Sequence, residues 1–201
     1  MLVTLLALLV TTPGAPAVST SSAPTHATVT TMPAAPPHGW DGARWSLELV
    51  VDGAAQAVTA GTAPVSSVAL RGGGVNESGA GPFFGGDASL VIGNQSAGTV
   101  DVSVTQVPLL LEARGLGGAR FRRGFVGVGG YGFLAGAGGV AATATHAFDD
   151  VIMRTGPSWR LRAGAGVEVD VGPLLLRIET GAGARDLNPE VFGSAGLGFR
   201  W

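Results

Sequence analysis

Thirteen consecutive residues, Trp159 to Val171, alternate without a break. Trp159, Leu161, Ala163, Ala165, Val167, Val169 and Val171 fall on one face, and Arg160, Arg162, Gly164, Gly166, Glu168 and Asp170 on the other. A period of two belongs to a strand with one apolar and one polar face. Gly172-Pro173 follows as a turn, and the alternation then resumes. Leu174, Leu176, Ile178, Thr180 and Ala182 oppose Leu175, Arg177, Glu179, Gly181 and Gly183. Two strands joined by so tight a turn form an antiparallel hairpin, so this chain is built from sheet.

The same reading extends in both directions. Trp45, Leu47, Leu49 and Val51 oppose Arg44, Ser46, Glu48 and Asp52. Val68 and Leu70 oppose Ser67, Ala69 and Arg71, and Ala88, Leu90 and Ile92 oppose Asp87, Ser89 and Val91. Val100, Val102 and Val104 oppose Asp101, Ser103 and Thr105. Near Gln106-Val107-Pro108 the phase slips, so that Val107, Leu109 and Leu111 oppose Glu112 and Arg114. A β-bulge at the proline is the expected cause. At the C-terminal end Val191, Gly193, Ala195, Leu197, Phe199 and Trp201 oppose Arg200 and a set of Gly, Ser and Phe. Eight strands are expected, at 44–52, 64–73, 82–92, 100–114, 121–136, 158–171, 174–185 and 191–201, with the facing of the glycine-rich fifth left open.

Composition says what solvent these strands meet. Hydrophobic residues are 46% of the chain and charged residues 13%, too apolar for an ordinary water-soluble domain. No run reaches the roughly 20 apolar residues of a spanning helix; Met1–Val10 is the longest candidate and is too short. That leaves a deeply buried soluble core or a closed membrane barrel, since only helices and closed barrels satisfy their backbone in lipid. The net charge of −2 leaves no footprint for nucleic acid, and the lack of cysteine excludes disulfides and thiolate metal sites. The 34 glycines argue further against helix.

Three regions are expected. Residues 1–17 read as a secretory signal peptide ending in Ala15-Pro16-Ala17, and 18–39 as a linker of Ser, Thr, Ala and Pro. The strand pattern fills 40–201.

The polar faces carry Arg44, Glu48, Arg71, Asp87, Asp101, Glu112, Arg114, Arg160, Arg162, Glu168, Asp170, Arg177, Glu179 and Arg200, opposite signs nearly balanced, with Asp52 among them. All 12 basic residues are arginine. On a water-soluble barrel these faces would be wet; in a small membrane barrel they would point inward and have to pair. The faces alone fit both. The apolar excess, the signal peptide and the C-terminus favour lipid.

Leu197, Phe199 and Trp201 resemble the C-terminal assembly signal of bacterial outer-membrane barrels. With "VPLLLEARG", "GFVGVGGYGFLAGAG" and "WRLRAGAGVEVDVGPLLLRIETGAGARDLNP", in that order, the chain looks like the small porin-family barrels related to the OmpA and OmpX domains. The resemblance spans about residues 44–201. It implies an all-β fold, an eight-stranded antiparallel transmembrane up-and-down barrel in the bacterial outer membrane. It implies outer-membrane lipid and the barrel-assembly machinery as partners, a monomer, and no cofactor. With both termini periplasmic, 53–63, 93–99, 137–157 and 186–190 become extracellular loops, and 74–81, 115–120 and 172–173 periplasmic turns.

Other motifs are weaker. Gly127 to Gly132 matches G-x-G-x-x-G but opens no helix, so barrel packing explains it better than a dinucleotide. His146, Asp149 and Asp150 fall in the expected 137–157 loop, where a solvated surface outweighs a metal site. No nucleophile, base and acid stand at strand spacing, so no enzyme is expected. The expected role is structural or surface interaction around a plugged, charge-paired lumen. The alternatives are a narrow solute channel and a secreted barrel that binds an apolar ligand.

Overall fold

The computed structural model describes residues 42–58, 61–77, 81–98, 102–148 and 150–201. The expected signal peptide and linker lie outside them, as do Asp101 and Asp149. Eight antiparallel strands close into one ring in sequence order. They are β1 (Ala43–Val58), β2 (Gly61–Glu77), β3 (Gly81–Gly98), β4 (Val102–Arg123), β5 (Val126–Ala147), β6 (Asp150–Val171), β7 (Leu174–Arg185) and β8 (Asn188–Arg200). β8 returns to pair with β1 from Ser46↔Arg200 to Gln56↔Glu190, which closes the barrel and removes its edges. No helix is long and apolar enough to cross a membrane, which says nothing about strands.

The strand count is as the alternation predicts, but the strands are longer. The expected 137–157 loop is strand: β5 and β6 pair without interruption from Val126↔Val171 to Ala147↔Asp150. Residues such as Gly138, Gly139, Ala141, Ala142 and Ala144 are small on both faces, so no polarity alternation marks a strand that the ladder nevertheless holds. The expected turn at 115–120 is also strand, and the turn is Gly124-Phe125, with Gly124 at φ 63°. Glycine in that stretch allows close packing: a Cβ on Gly118 would sit 2.6 Å from the Cα of Tyr131. The 186–190 loop shrinks to the two residues Asp186 and Leu187, both at positive φ as in the primed turns that suit hairpins. The 172–173 turn stands as expected.

The β-bulge near Pro108 is absent. β4 keeps one register with β3 from Gly81↔Arg120 to Gly98↔Ser103, and one with β5 along its whole length. Two rungs opposite Gly93 and Asn94 are missing, and Pro108 has no N–H to offer there. Val102 and Val104 therefore share a face with Leu110. The polarity pattern misleads at this height because β4 to β6 rise above their neighbours and both faces meet solvent.

The fifth strand resolves cleanly. Tyr131, Phe133 and Ala135 point inward and are buried, while Val128 and Leu134 point outward. Two ends can be distinguished. The lower end holds Trp45, Trp201 and the β2–β3, β4–β5 and β6–β7 connections; the upper end holds the other four hairpin connections.

Candidate functional site: a charge-filled lumen

Burial is inverted relative to a water-soluble barrel. Leu49, Leu70, Leu111, Leu134, Leu161, Ile178 and Leu197 are exposed on the outer face, Leu134 by 70%. Glu48, Glu168, Asp170, Arg177, Arg185, Glu190 and Arg200 are almost fully buried inside. Trp45, Phe84, Phe121, Phe125, Phe199 and Trp201 stand exposed around the lower end. The strand period makes this arrangement, since each strand sends every second residue inward.

The inner charges form three layers. In the lower layer, Glu77 binds Arg44 at 2.7 Å, Arg122 at 3.5 Å and Arg120. Glu168 accepts from Arg177 Nε at 3.1 Å and Arg200 Nη2 at 2.7 Å and also meets Arg120. Glu48 receives Arg177 Nη1 at 2.6 Å, and Asp170 receives Arg122 at 3.2 Å. The middle layer centres on Glu179. It accepts from Arg71 at 3.2 Å, from the Tyr131 hydroxyl at 2.6 Å, from the Ser194 hydroxyl at 3.1 Å and from Arg114. Arg114 also donates to Asp87 through Nε at 2.9 Å and Nη2 at 2.6 Å. In the upper layer, Asp52 takes Arg162 at 2.7 Å and the Ser67 hydroxyl at 2.9 Å. Arg160 donates to Glu112, and Arg162 to Glu190, each at 2.5 Å. Arg185 lies 3.8 Å from Glu190.

Aromatic rings fill the spaces between layers. Arg162 stacks over Phe192 at 4.1 Å and Arg114 over Phe133 at 5.0 Å, distances that suit cation–π attraction. Phe83, Tyr131, Phe133 and Phe192 form a chain of ring contacts 6.1–6.4 Å apart. Inward glycines make room for them: a Cβ on Gly164 would lie 2.9 Å from Phe133, and one on Gly166 2.7 Å from Tyr131. Between the middle and upper layers, lined by Asp52, Arg71, Glu112, Arg160, Arg162 and Glu179 among others, about 20 Å³ is left, room for roughly one water.

The structure brings Glu48, Arg71, Asp87, Glu112, Arg114, Arg160, Arg162, Glu168, Asp170, Arg177, Glu179 and Arg200 together inside the barrel. Arg44 reaches the network from the lower rim, its side chain 35% exposed. Asp101 lies outside the described residues. Sequence reading missed Glu77, Arg120, Arg122, Arg185 and Glu190 as inward charges. The signal was present: the alternation that places Arg114 inside continues through Leu116 and Gly118 to Arg120 and Arg122. Glycines read as turns cut it short.

His146 lies exposed on β5 opposite Val151, and no group of three metal-ligating side chains occurs among the described residues. The G-x-G-x-x-G stretch runs along β5 rather than opening a helix. Leu197, Phe199 and Trp201 share the outer face, each more than half exposed.

No protein-family profile and no curated protein matches the chain. Solved structures do. The attachment invasion locus protein Ail of Yersinia pestis has TM-score 0.51 at 13% identity, over 79% of this chain and 98% of that one. The same protein in complex with the heparin analogue sucrose octasulfate has TM-score 0.53 at 14% identity, over 79% and 99%. Neisserial surface protein A has TM-score 0.41 at 11% identity, over 79% and 96%. At these identities the likeness is one of fold: this chain has the fold of a small eight-stranded barrel like that of Ail.

Proposed function

We propose that the chain is an integral barrel of a bacterial outer membrane, monomeric within the bilayer, with a lumen closed by its own paired charges. The observation that carries this reading is the inversion of burial. A continuous outer face of exposed Leu, Val and Ile is far larger than the apolar patches of soluble monomers, and lipid is the solvent that suits it. The Ail-like fold supports the same reading. The lower aromatic ring fits a membrane–water interface.

The lumen in this reading is a structural element. It holds no catalytic step and no cofactor, and the space between its middle and upper layers has room for about one water. The role lies at the upper end, where β4, β5 and β6 carry the sheet beyond the barrel. During biogenesis, Leu197, Phe199 and Trp201 present the outward pattern that assembly machinery recognises. Planar-bilayer recording tests the closed lumen: the account expects no steady unitary conductance from the refolded chain. Stable, ion-selective openings would replace it with the narrow-channel reading.

A further inference from the structure

Among the described residues, β6 leaves an open edge above the barrel. β6 pairs with β7 only from Arg160 downward, whereas its pairing with β5 continues up to Asp150. Trp159 shows which backbone groups face the open side. Its carbonyl accepts from the N–H of Asp186 at 3.1 Å, and its own N–H donates to Asp186 Oδ1 at 2.8 Å. Successive residues of a strand aim their N–H and C=O to opposite sides. Val151, Met153 and Thr155 therefore present theirs to the open edge.

The side chains there are exposed, Val151 by 57%, Ile152 by 51% and Met153 by 74%. Asp150 and Arg154 flank them, also exposed, and neither forms an ion pair among the described residues. The stretch Asp150-Val151-Ile152-Met153-Arg154 is complementary to itself when run antiparallel about Ile152. Val151 then lies opposite Met153, and these are the residues whose backbone groups face the edge, so they form the hydrogen-bonded pairs. Asp150 lies opposite Arg154 in a non-hydrogen-bonded pair, where side chains approach closest. Opposite charges at such positions stabilise pairing and like charges oppose it. Centring on Val151 or Met153 instead sets a charge against Ile152.

We propose that this β6 edge is a homotypic pairing site whose occupant is the same edge of a second copy in an opposed membrane. A copy in the same membrane carries β6 in the same downward sense, so antiparallel pairing requires the two barrels to face each other. The proposal takes the outward placement of the upper end from the function proposed above; the pairing itself can be read without a membrane.

The test uses detergent-folded barrel held on beads through an N-terminal tag, which leaves the upper end pointing away. Two bead colours are mixed and cross-colour clusters counted, with many weak contacts adding up on each bead. Wild type should cluster with wild type. Asp150→Arg beads alone, and Arg154→Asp beads alone, should each cluster at least about tenfold less, since each places like charges opposite one another twice. Mixing Asp150→Arg beads with Arg154→Asp beads restores both opposite-charge pairs and should restore clustering. Both substituted sites are exposed, and circular dichroism and heat-modifiable mobility verify folding. Wild-type beads that do not cluster, or a mixture that fails to recover, would overturn the proposal. Clustering that succeeds while the barrel fails to enter membranes would leave the pairing standing and remove the membrane reading.

Discussion

Trp45 and Trp201 lock the two ends of the strand ring together: each donates its backbone N–H to the other's carbonyl at 2.9 Å. Both indoles point outward, 57% and 67% exposed, at the same lower end. One pair of residues thus contributes ladder closure and an interfacial aromatic at once. The ring is completed by backbone, which any side chain at Trp201 would retain, whereas the outward aromatic is specific.

This separation predicts different losses in different settings. Changing Phe199 and Trp201 to Ser removes apolar burial of about 1.5–3 kcal/mol each but keeps the backbone pair. Refolding from urea into detergent should therefore survive with reduced stability. If assembly machinery recognises the outward pattern, as proposed, that adds a kinetic requirement, and assembly in cells should fall much further. Changing Arg200, on the inner face, should leave recognition intact. Equal losses in cells and in vitro would make Trp201 an interfacial anchor only.

Glu179 is the acceptor for four groups, so its removal should be among the most costly single changes. Glu179→Ala leaves Arg71 and Arg114 facing Asp87 alone and should destabilise by about 3–5 kcal/mol, the range for breaking a buried pair. Tyr131→Phe removes one hydrogen bond to the carboxylate and should cost about 1.5–3 kcal/mol. Urea unfolding of the barrel in lipid vesicles gives both values, and a Glu179→Ala barrel as stable as wild type contradicts the lumenal network.

Adjacent residues of β7 should respond to different physics. Leu176 faces outward and Arg177 inward. Leu176→Arg should cost about 2–4 kcal/mol near the bilayer midplane, and less where the substituted position lies nearer the interface. Arg177→Leu strands Glu48 and takes one of three arginines from Glu168, and should cost about 3–5 kcal/mol whatever the bilayer thickness. Unfolding both variants in thin and thick bilayers separates the two causes.

Gly164 tests the packing of glycine against aromatic rings. An added methyl would meet the Phe133 ring at 2.9 Å and a backbone carbonyl. Overpacking of this kind costs about 1–3 kcal/mol, so Gly164→Ala should lower the urea midpoint. Gly138→Ala, where nothing lies within 4 Å, should not.

The barrel and most of its inner face were legible because a period of two sorts residues by face before any contact is known. Trp159 to Val171 alone shows which charges share a face, and the apolar excess of the whole chain argues that this face turns inward. Legibility ended where that contrast ended. Gly115, Gly117 and Gly118 leave Leu116 as a lone marker, and Ala141 to Ala144 carry small residues on both faces, so these stretches read as turn and loop although the ladder runs through them. Which arginine meets which carboxylate was not legible at all. Glu179 and Arg71 lie 108 residues apart and meet only because the ring closes.

The central claim, that the outer face of this barrel meets lipid, is tested most directly by nitroxides along β7. The chain has no cysteine, so single cysteines can be placed and labelled one at a time from Leu174 to Ala182. In bilayers, collisions with oxygen, which concentrates in lipid, should peak at 174, 176, 178, 180 and 182 and fall at the positions between. Collisions with a water-soluble nickel complex should be low throughout the span. Nickel collisions that peak at the same outward positions would show that this face meets water, and would contradict the account.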